Sequence, residues 1–209
     1  AMKKGGVVFS SATLAPDVAE GFGGRLAEAG LLMLDAPVSG GVVKAVSGGL
    51  AIMAGGDADT ISALRPLLDP LGKVFLTGGS GSGHAMKAIN NFLSATTMAI
   101  TSEAVIAGEK FGLDPKTMVD IINASTGRSN SSEHKFPTFV LPRTFNSGFF
   151  LGLMAKDLRF AKALVDSVHT PNIFVDAISK LYDDAEAKLG PMADNIDIHR
   201  YLEALASKD

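Results

Sequence analysis

Between residues 7 and 76, short runs of consecutive apolar residues alternate with longer segments in which apolar side chains recur every three or four positions. The runs at 7–10, 31–34, 50–54 and 74–76 have strand length and composition, and glycine or proline bounds several of them. Residues 16–30, with Val18, Phe22, Leu26 and Ala29 at helical spacing, and residues 58–68 behind Asp57 read as helices. Strand alternating with helix predicts a mainly parallel sheet with helices on its faces. From Ser82 the pattern changes to one helix of roughly thirty residues, about 45 Å long at the standard rise, closing near Phe111-Gly112. A helix restarts at Asp114-Pro115, a polar loop follows over residues 124–132, and then phenylalanines crowd a segment broken by Pro137, Pro142 and Gly148. Two more helices are predicted over 153–168 and 171–189, stopped by Gly190-Pro191, with a last short one near residues 196–205.

The expected fold is therefore α/β followed by all-α: a partial Rossmann-like, mainly parallel sheet, a long interdomain helix and a C-terminal helical domain. The boundary falls near residue 80, giving domains of 1–80 and 81–209. A length of 209 residues with 46% apolar and 20% charged side chains is ample for such cores. The net charge of −3, with scattered lysines and arginines, gives no reason to expect nucleic acid as a partner. Residues 88–102 are uncharged but too short and too polar for a membrane span, and no signal-peptide pattern follows the first lysines. The lack of cysteine rules out disulfides and thiolate metal sites and suits a reducing cytoplasm.

The chemistry concentrates in two stretches. In Gly81-Ser-Gly-His-Ala-Met-Lys87-Ala-Ile-Asn-Asn91, Lys87 and Asn91 share a helical face, and the next charged residue is Glu103. Lys87 reads either as a solvated lysine of a first helical turn or as a proton carrier tuned by burial. Ser39-Gly40-Gly41 follows a strand, where open parallel sheets place their ligands, and offers backbone N–H groups and a hydroxyl to a carboxylate; it reads equally as a tight turn. Lys156 and Asp157 read by themselves as an exposed helix face, Thr13 as a helix cap and Phe149 as a core residue. His84, His134, His169 and His199 are too widely spaced for a metal site, and there is no Gly-x-Ser-x-Gly elbow.

Asp35-Ala-Pro-Val-Ser-Gly-Gly41, Gly83-His-Ala-Met-Lys87-Ala-Ile-Asn-Asn91 and Met154-Ala-Lys-Asp157-Leu, in this order and at these separations, resemble the β-hydroxyacid dehydrogenases. That family includes 3-hydroxyisobutyrate, tartronate semialdehyde and L-threonate enzymes and is related to 6-phosphogluconate dehydrogenase. The resemblance implies hydride transfer between NAD or NADP and a small 3-hydroxyacid, with Lys87 as general acid/base. It implies that Ser39, Gly40, Gly41, Asn91 and Phe149 bind substrate, and that Thr13, Lys156 and Asp157 lie on the cofactor side. Family members open with a strand, a Gly-x-Gly-x-x-Gly turn and a helix that hold the pyrophosphate. No such turn occurs in these residues, and Gly79-Ser-Gly-Ser-Gly83 reads as the entry to the long helix. The chain is thus expected to correspond to the C-terminal two thirds of a family member. An alternative is a truncated, non-catalytic folding or assembly module unable to hold a dinucleotide. An unpaired sheet edge predicts a homo-oligomer that uses the long helix and the phenylalanine-rich segment.

Overall fold

The computed structural model describes residues 2–207. The chain divides into two compact units, one comprising Ala1–Asn90 with Ala163–Thr170, the other Asn91–Lys162 with Pro171–Asp209.

The first unit is built on a five-stranded sheet in the spatial order β1 (Val7–Ser10), β2 (Leu32–Asp35), β4 (Leu50–Gly55), β3 (Val38–Ser39), with β5 (Gly72–Gly78) also paired to β4. Strand β1 (Val7–Ser10) runs parallel to β2 (Leu32–Asp35) over their whole length, and β4 (Leu50–Gly55) runs parallel to β5 (Gly72–Gly78). The connection between the two pairs is antiparallel and short: Asp35 opposite Gly55, then β3 (Val38–Ser39) opposite Ala51 and Ile52. The sheet is mixed for a local reason. Residues 35–39 run on as one extended stretch that pairs antiparallel with β4 in a single register, the Met53 N–H donating to the Pro37 carbonyl at 3.0 Å, and residues 41–49 then reverse the chain into β4. The short strand and the helix α2 (Gly41–Val46) that follows it are not among the elements that the sequence pattern predicts.

Helices α1 (Pro16–Glu28) and α3 (Ala58–Leu68) complete this unit. Asp57 caps α3, accepting the Thr60 N–H at 2.8 Å. Thr13 does not cap α1, because the cap position is Ala15 and carries no side-chain hydrogen bond. Leu34, Ile52, Ala54, Ile61 and Leu68 form the core. The apolar stripe expected on α1 is incompletely buried, with Phe22 and Leu26 half-buried and Val18 exposed. Strand β1 is an edge of the sheet, and Phe9 on it is exposed.

Helix α4 (Ser82–Phe111) is 30 residues long, and the division between the units falls within it, at Asn90 and Asn91. It ends where Leu113 N–H reaches back to the Gly108 carbonyl at 2.9 Å and Gly112 adopts a left-handed φ of 103°.

The second unit is all-helical. It contains α5 (Pro115–Ala124), a π-helix (Ser131–Val140), α6 (Leu151–Ser167) as far as Lys162, α7 (Ile173–Leu189), a 3₁₀ turn (Asn195–Asp197) and α8 (Ile198–Ala206). The π-helix corrects the expectation of irregular chain around the phenylalanines. Pro137 lacks an N–H and disrupts the α pattern, and the wider winding appears in the Leu141 N–H to Phe136 carbonyl bond of 2.9 Å. Phe136 and Phe145 are buried in the core with Met98, Leu151, Leu158, Tyr182 and Ile196, while Phe139 and Phe149 pack against it. Most of the phenylalanine-rich segment therefore packs into its own unit.

Candidate active site

The site begins with a fastening at the start of α4. Asp35, at the end of β2 and fully buried, accepts Gly81 N–H at 3.0 Å on Oδ1 and Gly83 N–H at 2.7 Å on Oδ2. Two backbone donors that a helix start leaves unpaired are thereby satisfied by an anion, the charge the helix dipole favours there. Ser82 Oγ adds a bond to the Gly79 carbonyl at 2.6 Å. The glycines serve close packing here: a Cβ on Gly83 would lie 2.3 Å from the Met53 carbonyl oxygen and 2.7 Å from Asp35 Oδ2. Reading the glycine-rich stretch as the helix entry thus acquires a physical cause. His84 is fully buried beside Asp35, and burial lowers its pKa more than that carboxylate raises it.

This anchoring fixes Lys87, half-buried in the second turn of α4. Also in the first unit, Ser39 and Gly40-Gly41 form the bend from β3 into α2. Gly40 has φ 135° and a Cβ on it would meet Lys44 Cβ at 2.7 Å, so only glycine fits, and the exposed bend leaves its backbone accessible. Asn90 Nδ2 lies 3.5 Å from Ser39 Oγ, a long contact that places the serine loop beside the third turn of α4. Thr13 sits half-buried in the loop after β1, whose last residue Ser10 is in register with Asp35.

In the second unit, Asn91 is buried and its Nδ2 donates to Asp157 Oδ2 at 2.6 Å. Asp157 is only 2% exposed, so it is no part of a solvated helix face; Lys156 Nζ stands 3.2 Å from its Oδ1 and 5.4 Å from the Phe160 ring centroid. Phe149 packs on the core, and its carbonyl accepts Asn195 N–H at 2.8 Å and Asn195 Nδ2 at 3.0 Å.

Sequence reasoning passed over two residues. Asp35 was visible only as part of a motif, because its partners Gly81 and Gly83 are more than forty positions away. Lys135 on the π-helix gave no signal at all. Its ammonium donates to Ser94 Oγ at 3.0 Å, and burial pushes its pKa down to about 8 against a weaker opposing pull from Asp194. A separate hollow in this unit, lined by Glu109, Arg143 and His199 among others, includes none of the predicted site residues. Among the described residues no group of three or more histidine, aspartate or glutamate side chains is arranged to hold a metal ion. No described helix is long and apolar enough to cross a membrane.

Comparison with known proteins agrees with the motifs. Residues 81–202 match the family described as NAD-binding of NADP-dependent 3-hydroxyisobutyrate dehydrogenase. Residues 1–79 match the NAD binding domain of 6-phosphogluconate dehydrogenase. The mitochondrial 3-hydroxyisobutyrate dehydrogenase of Mus musculus is 36% identical over 191 residues, covering 87% of this chain and 56% of that protein. The 2-(hydroxymethyl)glutarate dehydrogenase of Eubacterium barkeri is 38% identical over 162 residues, covering 77% of this chain and 54% of that protein. Among solved structures, a Mycobacterium tuberculosis 3-hydroxyisobutyrate dehydrogenase with L-serine superposes with a TM-score of 0.85 at 30% identity, covering 94% of this chain and 69% of that one. The chain spans about half the length of the curated relatives it matches.

Proposed function

The chain belongs to the β-hydroxyacid dehydrogenases, and on that premise we propose that it carries the acid/base and substrate-binding part of an NAD(P)-dependent dehydrogenase of small 3-hydroxyacids. The observation that supports this most is the construction of α4. One helix, fastened at its first turn by Asp35, carries Lys87 and, one turn on and on the same face, an asparagine bonded to the buried Asp157.

Residues at the carboxyl ends of parallel β1 and β2 suit the nicotinamide end of the cofactor. The strand ends lie side by side at Ser10 and Asp35, and α1 starts after the loop that leaves β1. Thr13, Lys156 and Asp157 are the residues we assign to that side. A bound nicotinamide supplies the hydride acceptor for oxidation and the hydride donor for reduction. The chain's part is positioning and proton transfer. The Ser39-Gly40-Gly41 bend holds the substrate carboxylate through N–H and hydroxyl donors, and Asn91 orients the reacting hydroxyl. Lys87 Nζ, unprotonated, takes the hydroxyl proton as the alcohol becomes a carbonyl and returns it in the reverse direction. Phe149 borders the substrate.

We further assign the protein to a homo-oligomer. Met86, Ile89, Leu93 and Ile100 are 40%, 40%, 56% and 55% exposed and recur at helical spacing along α4, an apolar stripe suited to a second copy. Sedimentation velocity showing a monomer at micromolar concentration removes that assignment.

Titration of NADH and NADPH against the purified chain, followed by assay with 3-hydroxyisobutyrate, L-threonate and 2-(hydroxymethyl)glutarate, tests the main reading. Nucleotide-dependent oxidation of one of these acids supports it. The alternative that this titration weighs is a folding or assembly module. Complete failure to bind nucleotide or acid supports the module.

A further inference from the structure

We propose that Lys135 is a specificity-determining residue that receives a second carboxylate, carried at the far end of the hydroxyacid from its reacting hydroxyl. The inference rests on the dehydrogenase reading and deepens it by naming the substrate class as dicarboxylic.

Lys135 Nζ donates to Ser94 Oγ at 3.0 Å. Ser94 lies seven residues beyond Lys87 on α4, about 10 Å of rise, and roughly 20° around the helix from Lys87 and roughly 60° from Asn91, so that all three occupy one side of it. The row thus runs from the proton carrier through the orienting amide to a hydroxyl that holds a cation.

Asp194 is the carboxylate whose field reaches Lys135, but its oxygens are engaged elsewhere. Oδ1 accepts Ser147 Oγ–H at 2.6 Å and Ile196 N–H at 3.1 Å, and Oδ2 accepts Gly148 N–H at 2.8 Å. Those bonds hold the segment leading into Phe149, which we assign to the substrate, next to the same charge. Among the described residues no carboxylate lies within ion-pair distance of Lys135. A partly buried ammonium with a hydroxyl as its acceptor and Asp194 acting only at a distance has no bonded counter-ion. A substrate carboxylate supplies that counter-ion, whereas a methyl group in its place gains nothing from the charge.

Two of the acids named above make the test, because they share the reacting hydroxymethyl group and its neighbouring carboxylate. They differ in that the methyl group of 3-hydroxyisobutyrate is replaced by a 2-carboxyethyl group in 2-(hydroxymethyl)glutarate. Dissociation constants for both are measured by calorimetry on the full chain and on its Lys135→Met and Lys135→Arg variants. The unaltered chain is expected to bind the dicarboxylate about tenfold or more tightly, the gain of one charge-assisted hydrogen bond. Lys135→Met should bring the two constants within about twofold of each other while leaving that of 3-hydroxyisobutyrate in place, and Lys135→Arg should keep the preference. If 3-hydroxyisobutyrate binds but the preference is missing, survives in Lys135→Met, or vanishes because both acids weaken equally, the role of Lys135 is overturned and the dehydrogenase reading stands. If neither acid binds the unaltered chain, both fall.

Discussion

The carboxylate of Asp35 accepts Gly83 N–H at 2.7 Å, and this bond, with its companion from Gly81, fixes where α4 begins and hence where Lys87 stands. Removing the acceptor leaves two buried N–H groups unpaired, so Asp35→Ala should cost about 3 kcal/mol in urea unfolding, with Asp35→Asn intermediate because one amide oxygen remains. Gly83→Ala should be at least as damaging, since its Cβ would meet the Met53 carbonyl oxygen at 2.3 Å and backbone cannot swing aside as a side chain can. An alanine at Gly83 that unfolds at the wild-type midpoint would show that this close approach is not required.

Asn91 and Asp157 form the corresponding buried pair in the second unit. Asn91→Ala strips a donor from a carboxylate that is 2% exposed, and a loss of about 2 kcal/mol is expected. The double variant Asn91→Ala/Asp157→Ala should be less destabilised than the sum of the singles, giving a coupling energy of about 1 kcal/mol or more in a double-mutant cycle. Strict additivity would mean that the contact contributes nothing.

Lys87 should separate catalysis from folding. Replacing it with methionine keeps the aliphatic stem and removes the proton carrier, so kcat should drop by at least about 100-fold while the urea midpoint changes little. Lys87→Arg should not restore turnover, because a guanidinium stays protonated and cannot accept the hydroxyl proton. Full activity in either variant would assign the proton transfer to another group.

What the chain reveals before folding follows the range of the forces involved. The 30-residue α4, the Asp57 cap and the Gly190 stop are local matters of spacing and capping, and the sequence pattern already marks them. The mixed character of the sheet was hidden because β3, the part that pairs antiparallel with β4 beyond Asp35, is only two residues long, too few to leave a periodic trace. The π-helix was hidden because proline and glycine around five phenylalanines look like irregular chain until hydrogen bonds five residues apart are seen. Motif spacing singled out Lys87 and Asn91, yet the groups that hold their helix in place are supplied by residues distant in sequence, Asp35 and Asp157. The Ser94 to Lys135 bond links positions 41 apart and belongs to no motif.

That bond also predicts how stability depends on pH. Burial holds the Lys135 ammonium pKa at about 8, below the ordinary lysine value of 10.5. Between those values the unfolded chain binds more protons than the folded one, so this group makes stability rise with pH from about 8 to about 10.5, and the cost of charging it is fully present below pH 8. Allowing for its partial exposure, the cost is about 1–2 kcal/mol. Lys135→Met should therefore be more stable than the unaltered chain at pH 7, and the difference should shrink as pH rises toward 10.5. Urea unfolding of the two proteins side by side cancels the lysines and tyrosines they share. A variant less stable at pH 7 would make Lys135 a structural cation. A more stable one would show that the chain sacrifices stability to keep an uncompensated charge, which is the behaviour of a group retained for a ligand.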